Sequence, residues 1–250
     1  MKVAIVIPAY NEASTIRDVA GRSLAQLKDV IVVDDGSADG TAAAVAGLPV
    51  TLISNRVNLG KGASLWRGFA AAMAAGAEAV ITLDADGQHC PEDVPRLLAA
   101  ASEHPGRIVI GARLWDKDKV PGLRYFGNRF ANFWVAWAAG APVADSQSGF
   151  RLYPAAVLKH VNVFHGPGAR FAFESEILIE AAAHGHETLA VPVAGRYPEG
   201  ARRSHYRGVV DTARIVAMVA GRLVRRGLYL QGLWRSLRRG SLPRTARDTK

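Results

Sequence analysis

Residues 79–89 read Ala-Val-Ile-Thr-Leu-Asp-Ala-Asp-Gly-Gln-His, an apolar run that stops in acidic and turn-forming residues. Ala79 to Leu83 has the length and β-branched content of a strand buried on both faces. On a backbone that stays extended past Leu83, residues i and i+2 project to the same side. The carboxylates of Asp84 and Asp86 then face one point, an arrangement that costs free energy unless a cation lies between them. Oxygen donors suit Mg2+ or Mn2+ better than zinc, and such ions commonly bind one or two carboxylates together with substrate phosphates. Gln88 adds a neutral oxygen. An ion held there is suited to neutralising charge that grows on a departing diphosphate.

The same rhythm of short apolar strand, polar end and helix runs through the chain before this stretch. Lys2 to Ile7 reads as a strand ended by Pro8, with a helix-compatible segment from Ala13 to Gln26. Val30 to Val33 is a second strand, broken by Asp34-Asp35-Gly36, and Ser37 and Asp39 can cap the helix after it. Val50 to Ile53 reads as a strand, Gly62 to Ala75 as a helix, Pro91 to Ala101 as a helix with proline in its first turn, and Arg107 to Ile110 as a fifth strand. Strands alternating with helices predict an α/β fold, a mostly parallel sheet covered on both faces. In such sheets ligands bind at the carboxyl edge. Four strand ends carry polar clusters: Pro8 to Glu12, Asp34 to Ser37, Asn58 to Gly62, and Asp84 to His89. Any one alone reads equally as a turn, because Asp, Asn and Gly favour turns for local reasons; four at successive ends read as a site.

Beyond Arg113 the pattern loosens. Asp116 to Lys119 forms a charged loop, Leu123 to Ala139 an apolar helix with aromatic residues, and Glu174 to Ala183 another helix. Short β-like pieces lie at Phe150 to Tyr153 and Leu189 to Val193. Val209 to Arg239 is helical in pattern, and residues after Gly240 read as disordered. We therefore expect a domain over 1–205, comprising a nucleotide-binding half (1–112) and an acceptor half (113–205), then an amphipathic helical tail (206–240) and a disordered end (241–250).

Charge is unevenly placed. The net charge is +9 over 250 residues, yet residues 196–250 alone carry +11 and residues 1–195 carry −2. A concentrated basic segment seeks phosphate, on lipid or on nucleic acid. An arginine-rich amphipathic helix bearing Tyr229 and Trp234 suits a membrane interface; the plainer alternative is a helix packed on the domain. Phe130, Phe133, Trp134 and Trp137 offer a second apolar patch that core packing also explains. Cys90 is the only cysteine, which excludes an internal disulfide and suits a reducing compartment. No apolar run reaches the ~20 residues of a spanning helix, and the N-terminus does not read as a secretory signal. The expected location is cytoplasmic, peripheral to the inner face of a membrane.

Several known chemistries drop out. Gly60-Lys61-Gly62 lacks the earlier glycine of a P-loop, and no GxGxxG follows a strand. His184 and His186 have no partner at zinc-ligand spacing, and no GxSxG elbow occurs. What remains is IVIPAYNE, VVDDGS, NLGKG, LDADGQH and DSQSGFR, in this order and spacing. These segments resemble family-2 glycosyltransferases with the GT-A fold, most closely the branch of dolichyl- and polyprenyl-phosphate sugar synthases, over roughly residues 1–205.

The resemblance implies a nucleotide-sugar donor, UDP- or GDP-linked. Pro8, Tyr10, Asn11 and Glu12 would hold the base, Asp34 and Asp35 the nucleoside, and Lys61, Asp84 and Ala85 would lie along the nucleotide. Asp84, Asp86 and Gln88 would bind the metal and diphosphate, with Asp86 catalytic. Arg113, Arg124 and Arg129 match basic positions for donor or acceptor phosphates. Ser148 would line the acceptor side, and Arg202 and Arg203 a mobile basic loop. It also implies inversion at the anomeric carbon. The QxxRW-type motif of the hydroxyl-acceptor branches is missing. If a base is needed, Asp145 is the first candidate and Glu176 the second.

A lipid phosphate is already anionic near neutral pH, its second pKa being ~6, and needs cationic positioning rather than a base. The arginines named above fit that need, since arginine binds phosphate through paired hydrogen bonds. A lipid phosphate acceptor and a membrane surface are therefore the expected partners. Rival readings are transfer to a hydroxyl of another acceptor, a nucleotidyltransferase with the same paired aspartates, and a nucleic-acid-binding protein using the basic tail. No nucleic-acid partner is expected, because the acidic cluster repels a polyanion.

Overall fold

β-Branched residues dominate Val3–Ala9 (β1) and Val30–Asp34 (β2), and both strands are buried along almost their whole length. A computed structural model of the chain describes residues 1–113, 122–163, 172–193 and 208–238. Five further strands complete one sheet: Thr51–Ser54 (β3), Ala79–Thr82 (β4), Ile108–Ala112 (β5), Arg151–Pro154 (β6) and Thr188–Pro192 (β7). Their order is β3-β2-β1-β4-β6-β5-β7. β1 to β4 pair in parallel, as do β5 and β7, whereas β6 runs antiparallel between β4 and β5. The predicted mostly parallel sheet is present. Its single reversed strand has a large consequence. The start of β6 comes to the edge where the other strands end, so the loop before Arg151 arrives beside the end of β4.

Helices cover both faces. On one lie Ile16–Leu24 (α1) and Val94–Glu103 (α4), whose Ile16, Val19, Val94 and Leu97 pack with Ile5, Ile7, Phe150 and Leu152. On the other lie Lys61–Ala74 (α3), Gly122–Ala139 (α5) and Ala172–Ala183 (α7). There Leu65, Phe69, Val135, Phe173 and Ile177 pack with Val6, Val33 and Tyr153. Thr41–Ala44 (α2) and Ala155–His160 (α6) are short connections. Ser37 does not cap α2: its hydroxyl accepts the Asn11 N–H, while Asp39 takes the N–H and the hydroxyl of Thr41.

The C-terminal segment is two helices, Gly208–Arg225 (α8) and Leu230–Arg238 (α9), joined by a tight turn. Ile215, Val219 and Leu223 of α8 are fully buried in the second core, with α5 and α7. The apolar stripe of α8 is therefore part of the domain rather than a membrane-facing surface, the plainer of the two readings of this helix. No helix among the described residues is long and apolar enough to cross a membrane. The charged loop at Asp116 to Lys119, the segment with Arg202 and Arg203, and the end after Gly240 lie outside the described residues.

α3 seats against the sheet through Gly68, where an added Cβ would stand 2.3 Å from Val6 Cγ1 and 3.3 Å from Val33 Cγ2. Overpacking of this kind costs about 1–3 kcal/mol. In α1, an added Cβ on Gly21 meets nothing within 4 Å, and alanine is the better helix former by up to about 1 kcal/mol. Denaturant unfolding should therefore show Gly68→Ala destabilised by about 1–3 kcal/mol and Gly21→Ala unchanged or stabilised. Equal effects at the two positions would contradict this packing.

Candidate active site

Asp84 follows the end of β4 and meets Lys61, the first residue of α3. The lysine Nζ lies 2.6 Å from Asp84 Oδ1 and 3.1 Å from Oε1 of Glu174, a nearly buried residue of α7. Burial works against the charge of both Asp84 and Lys61, but their attraction outweighs it. The Asp84 carboxyl is held well below the usual carboxylate range and the lysine pKa is raised further by Asp84 and Glu174. Asp84 and Lys61 thus hold each other in their charged forms.

Asp86 stands apart from this pair. β4 ends at Thr82, and residues 85–87 form a turn rather than continued strand. The extended backbone expected past Leu83 is thus replaced by a turn, in which Asp86 Oδ1 accepts the Gln88 N–H at 3.0 Å. Burial and then the charge of Asp84 raise the pKa of Asp86. Ala85, between them, is buried in the core. Among the described residues no group of three or more His, Cys, Asp or Glu could hold a metal ion. A divalent ion here would rely on two carboxylates and draw its other oxygens from a bound diphosphate or water, the pattern usual for Mg2+. Two oxygen donors that repel one another fit such an ion.

His89 underlies Asp84. Its Nδ1 accepts the Asp84 backbone N–H at 3.2 Å, which leaves the proton on Nε2, and its ring lies 5.6 Å from that of Phe150. The ring is fully buried, and burial lowers its pKa to about 4.

The loop before β6 closes the other side. Gly149 lies so near Asp84 that an added Cβ would stand 2.7 Å from Oδ1, and its carbonyl accepts the Thr82 hydroxyl at 2.6 Å. Arg151 is buried and fixes this loop. Its guanidinium donates to the carbonyls of Ser148 (2.7 Å), Ser146 (2.8 Å) and Glu174 (2.7 Å). One side chain thereby joins the β6 loop to the backbone of the helix that supplies Glu174. Ser148 is also buried, its hydroxyl donating to the Gly111 carbonyl at 2.6 Å. It holds the loop against β5 and does not line an open acceptor face.

The other predicted residues are distributed as follows. Asp35 is buried and accepts Asn55 Nδ2 at 2.7 Å and the N–H groups of Leu59 and Gly60 at 2.9 and 2.8 Å. It therefore ties the Asn58–Gly60 loop to the N-terminus of α3, with about one lone pair of its four left over. Gly36 permits this, because a Cβ there would stand 2.6 Å from the Val57 backbone. Asp34 accepts the Ser37 N–H. Asn11, at φ 55°, and Glu12 lace the end of β1 to residues 37–41. Pro8 and Tyr10 stand at the same edge, Tyr10 exposed.

Arg113 Nε lies 3.6 Å from Asp145, and its Nη2 donates to the Gln147 carbonyl at 3.3 Å. Asp145 is fully buried and also accepts the backbone N–H groups of Arg113 and Gln147. An enclosed carboxylate so engaged cannot meet an acceptor hydroxyl, which corrects its place as first candidate base. Glu176 is joined to Arg222 of α8 at 3.5 Å, two positions and thus more than half a helical turn from Glu174. Arg129 is exposed on α5. Arg124 also lies on α5, its side chain outside the described residues, as are Arg202 and Arg203.

Sequence reading gave no role of their own to Glu174, Arg151 or His89. The usable signal was Glu174 beside Glu176 on one helix, only one of which can face the sheet edge.

A histidine kept neutral in the folded state binds its proton more readily once unfolded. Protonation then favours unfolding as pH falls from 6.5, the unfolded value, toward 4, and the effect levels off below. Wild-type protein should lose on the order of 2 kcal/mol at pH 5 relative to pH 7 through His89, a loss absent in His89→Gln. Parallel stability–pH curves for the two proteins would contradict this burial.

A sequence profile described as glycosyl transferase family 2 matches residues 4–166. The undecaprenyl-phosphate mannosyltransferase of Micrococcus luteus is 28% identical over 208 residues, covering 77% of this chain and 83% of that one. The UDP-N-acetylglucosamine–dolichyl-phosphate N-acetylglucosaminyltransferase of Methanococcus voltae is 29% identical over 218 residues, covering 79% and 86%. Among solved structures, glucosyl-3-phosphoglycerate synthase from Mycobacterium tuberculosis, in complex with Mn2+, UDP and phosphoglyceric acid, superposes with a TM-score of 0.68. It is 21% identical and covers 90% of this chain and 78% of that one, a likeness of fold. With the family's profile matched over more than half of its length, the chain belongs to glycosyl transferase family 2.

Proposed function

We propose that this protein transfers a sugar from a nucleoside-diphosphate sugar to the phosphate of a polyprenyl-type lipid, with Mg2+ or Mn2+ held by Asp84 and Asp86. The observation that carries the reading is the charge cluster at the end of β4. There Lys61 pairs with Asp84, and Asp86 lies in the adjoining turn, beside a loop that Arg151 fixes. Relatives that name undecaprenyl and dolichyl phosphates as acceptors support the choice of acceptor, and the fold neighbour supports Mn2+ and UDP as the class of ligand.

In the reaction, an acceptor phosphate oxygen forms a bond to the anomeric carbon as the bond from that carbon to the diphosphate oxygen breaks. The electron pair leaves with the nucleoside diphosphate, and configuration inverts. The metal supplies charge neutralisation to the leaving diphosphate. Lys61 is placed to follow the same developing charge, because its ammonium already shares Asp84. We assign Pro8, Tyr10, Asn11 and Glu12, at the end of β1, to the wall for the base, and Asp34 and Asp35 to the turn beneath the nucleoside.

A phosphate acceptor requires no general base; the enclosure of Asp145 and the pairing of Glu176 with Arg222 support that reading. Arg113 at the end of β5 also reaches the loop 145–149, and we assign it to acceptor or donor phosphate. Arg124, Arg129, Arg202 and Arg203 are proposed to extend that cationic path. The protein would act peripherally, at the inner face of a membrane.

Incubation with a panel of nucleotide sugars, polyprenyl phosphate and Mn2+ should release a nucleoside diphosphate from one donor and move its radiolabelled sugar into the organic phase. Chelator should abolish transfer, and Asp86→Asn should lower it by at least about a hundredfold, the scale of losing one charge-stabilising group. Label confined to water, with diphosphate still released, would remove the lipid acceptor and leave the transferase standing.

A further inference from the structure

The last helix among the described residues is built inside out. Along α9, Gly232 and Ser236 are buried and Leu233 is half-buried, whereas Leu230, Trp234 and Leu237 are 65%, 54% and 63% exposed. These three positions, spaced i, i+4 and i+7, form one face. A helix that folds onto a domain in water normally turns its large apolar side chains inward. Here small residues face the protein: an added Cβ on Gly232 would stand 2.2 Å from the Tyr229 ring and 2.9 Å from the Trp137 carbonyl.

The orientation is fixed by its connection to α8. Gly227, Leu228 and Tyr229 take successive positive φ values of 62°, 62° and 43°, a conformation that disfavours the two side-chain-bearing residues. Trp137 Nε1–H donates to the carbonyls of Leu228 and Tyr229 at 3.0 and 3.3 Å, and the Arg226 guanidinium stacks 4.5 Å from the Tyr229 ring. The turn leaves Leu228 half exposed, and Val224 before it is more so.

The patch continues onto α5. Phe133 lies 6.0 Å from Trp137 and 5.8 Å from Trp134, which in turn lies 6.2 Å from Phe130, and both phenylalanines are exposed. Asn132, between them in sequence, donates to the Ala144 carbonyl and accepts from Ser146. The helix that carries the aromatic rim therefore also holds the loop leading to Gly149 and Asp84. Arg225, Arg226 and Arg235 are exposed around the patch, and α9 contains no acidic residue.

We infer that the outer face of α9, with Leu228 of the preceding turn and Phe130 and Phe133 of α5, docks the protein on an anionic lipid bilayer. Leu230, Trp234 and Leu237 enter the acyl boundary and the arginines meet headgroup phosphates. The inference rests on the lipid-phosphate reading of the acceptor and supplies the surface that brings the sheet edge to it. A cationic rim around an apolar centre complements an anionic lipid surface. It also gives arginines to a partner that returns negative charge, which a second copy of this basic face does not.

Sedimentation of the full chain with vesicles, in the absence of donor, tests it separately from catalysis. Wild-type protein should bind vesicles of phosphatidylcholine with phosphatidylglycerol and only weakly those of phosphatidylcholine alone. Leu230→Ser/Trp234→Ser/Leu237→Ser should bind the anionic vesicles at least about tenfold more weakly, with UDP or GDP binding unchanged as a measure of intact fold. Brominated lipid should quench the fluorescence of wild type more than that of Trp234→Phe. Vesicle binding equal in wild type and triple variant would overturn the proposal. So would a wild-type dimer that the triple substitution dissociates while vesicle binding persists, since a second copy would then be the occupant.

Discussion

One ammonium group organises the edge of this sheet. Lys61, at the start of α3, sits between Asp84 at the end of β4 and Glu174 on α7, and so ties three elements at the place where all the parallel strands finish. Two carboxylates this close to one another would repel without it. With it, the pair is stable, and Asp86 remains beside the pair as a carboxylate whose pKa is raised by burial and by Asp84. The site is therefore short of positive charge in one spot, and that spot lies next to the acidic turn.

The remaining architecture serves this cluster. β6 runs against its neighbours, which lets Gly149 approach Asp84 more closely than any side chain would permit. Arg151 then locks the loop through three carbonyls, one of them that of Glu174. A buried cation that meets carbonyl oxygens holds geometry without neutralising the acidic residues nearby. Lys61 keeps that task, and a mobile divalent ion can take a share of it.

Most of the sheet was legible because strands buried on both faces write themselves as unbroken apolar runs, as in Val30 to Val33 and Ala79 to Leu83. The acidic motif was legible because Asp84 and Asp86 interrupt such a run. What could not be read was direction and facing. Nothing local in Arg151–Pro154 announces that this strand runs antiparallel, since a four-residue piece looks alike both ways. Asp145 looked available because burial of a carboxylate depends on Arg113 and Gln147 reaching it across the loop. Glu176 was preferred over Glu174 because their helix has almost no amphipathic signal, being buried nearly all round. The sequence left the arginine-rich tail open between two readings for a related reason: the stripe Ile215, Val219, Leu223 has the same period whether it meets lipid or protein. Only the inverted face of α9 separates the two.

The proposed chemistry requires Asp84 and Asp86 to hold a divalent ion when a nucleoside diphosphate is bound. A crystal soaked with Mn2+ and the nucleoside diphosphate, measured at the manganese absorption edge, tests this directly. The account predicts an anomalous peak within coordination distance of Asp84 and Asp86, with diphosphate oxygens completing its shell and Lys61 turned toward them. Bound diphosphate with no anomalous peak, and Lys61 still paired with Asp84 and Glu174, would contradict it.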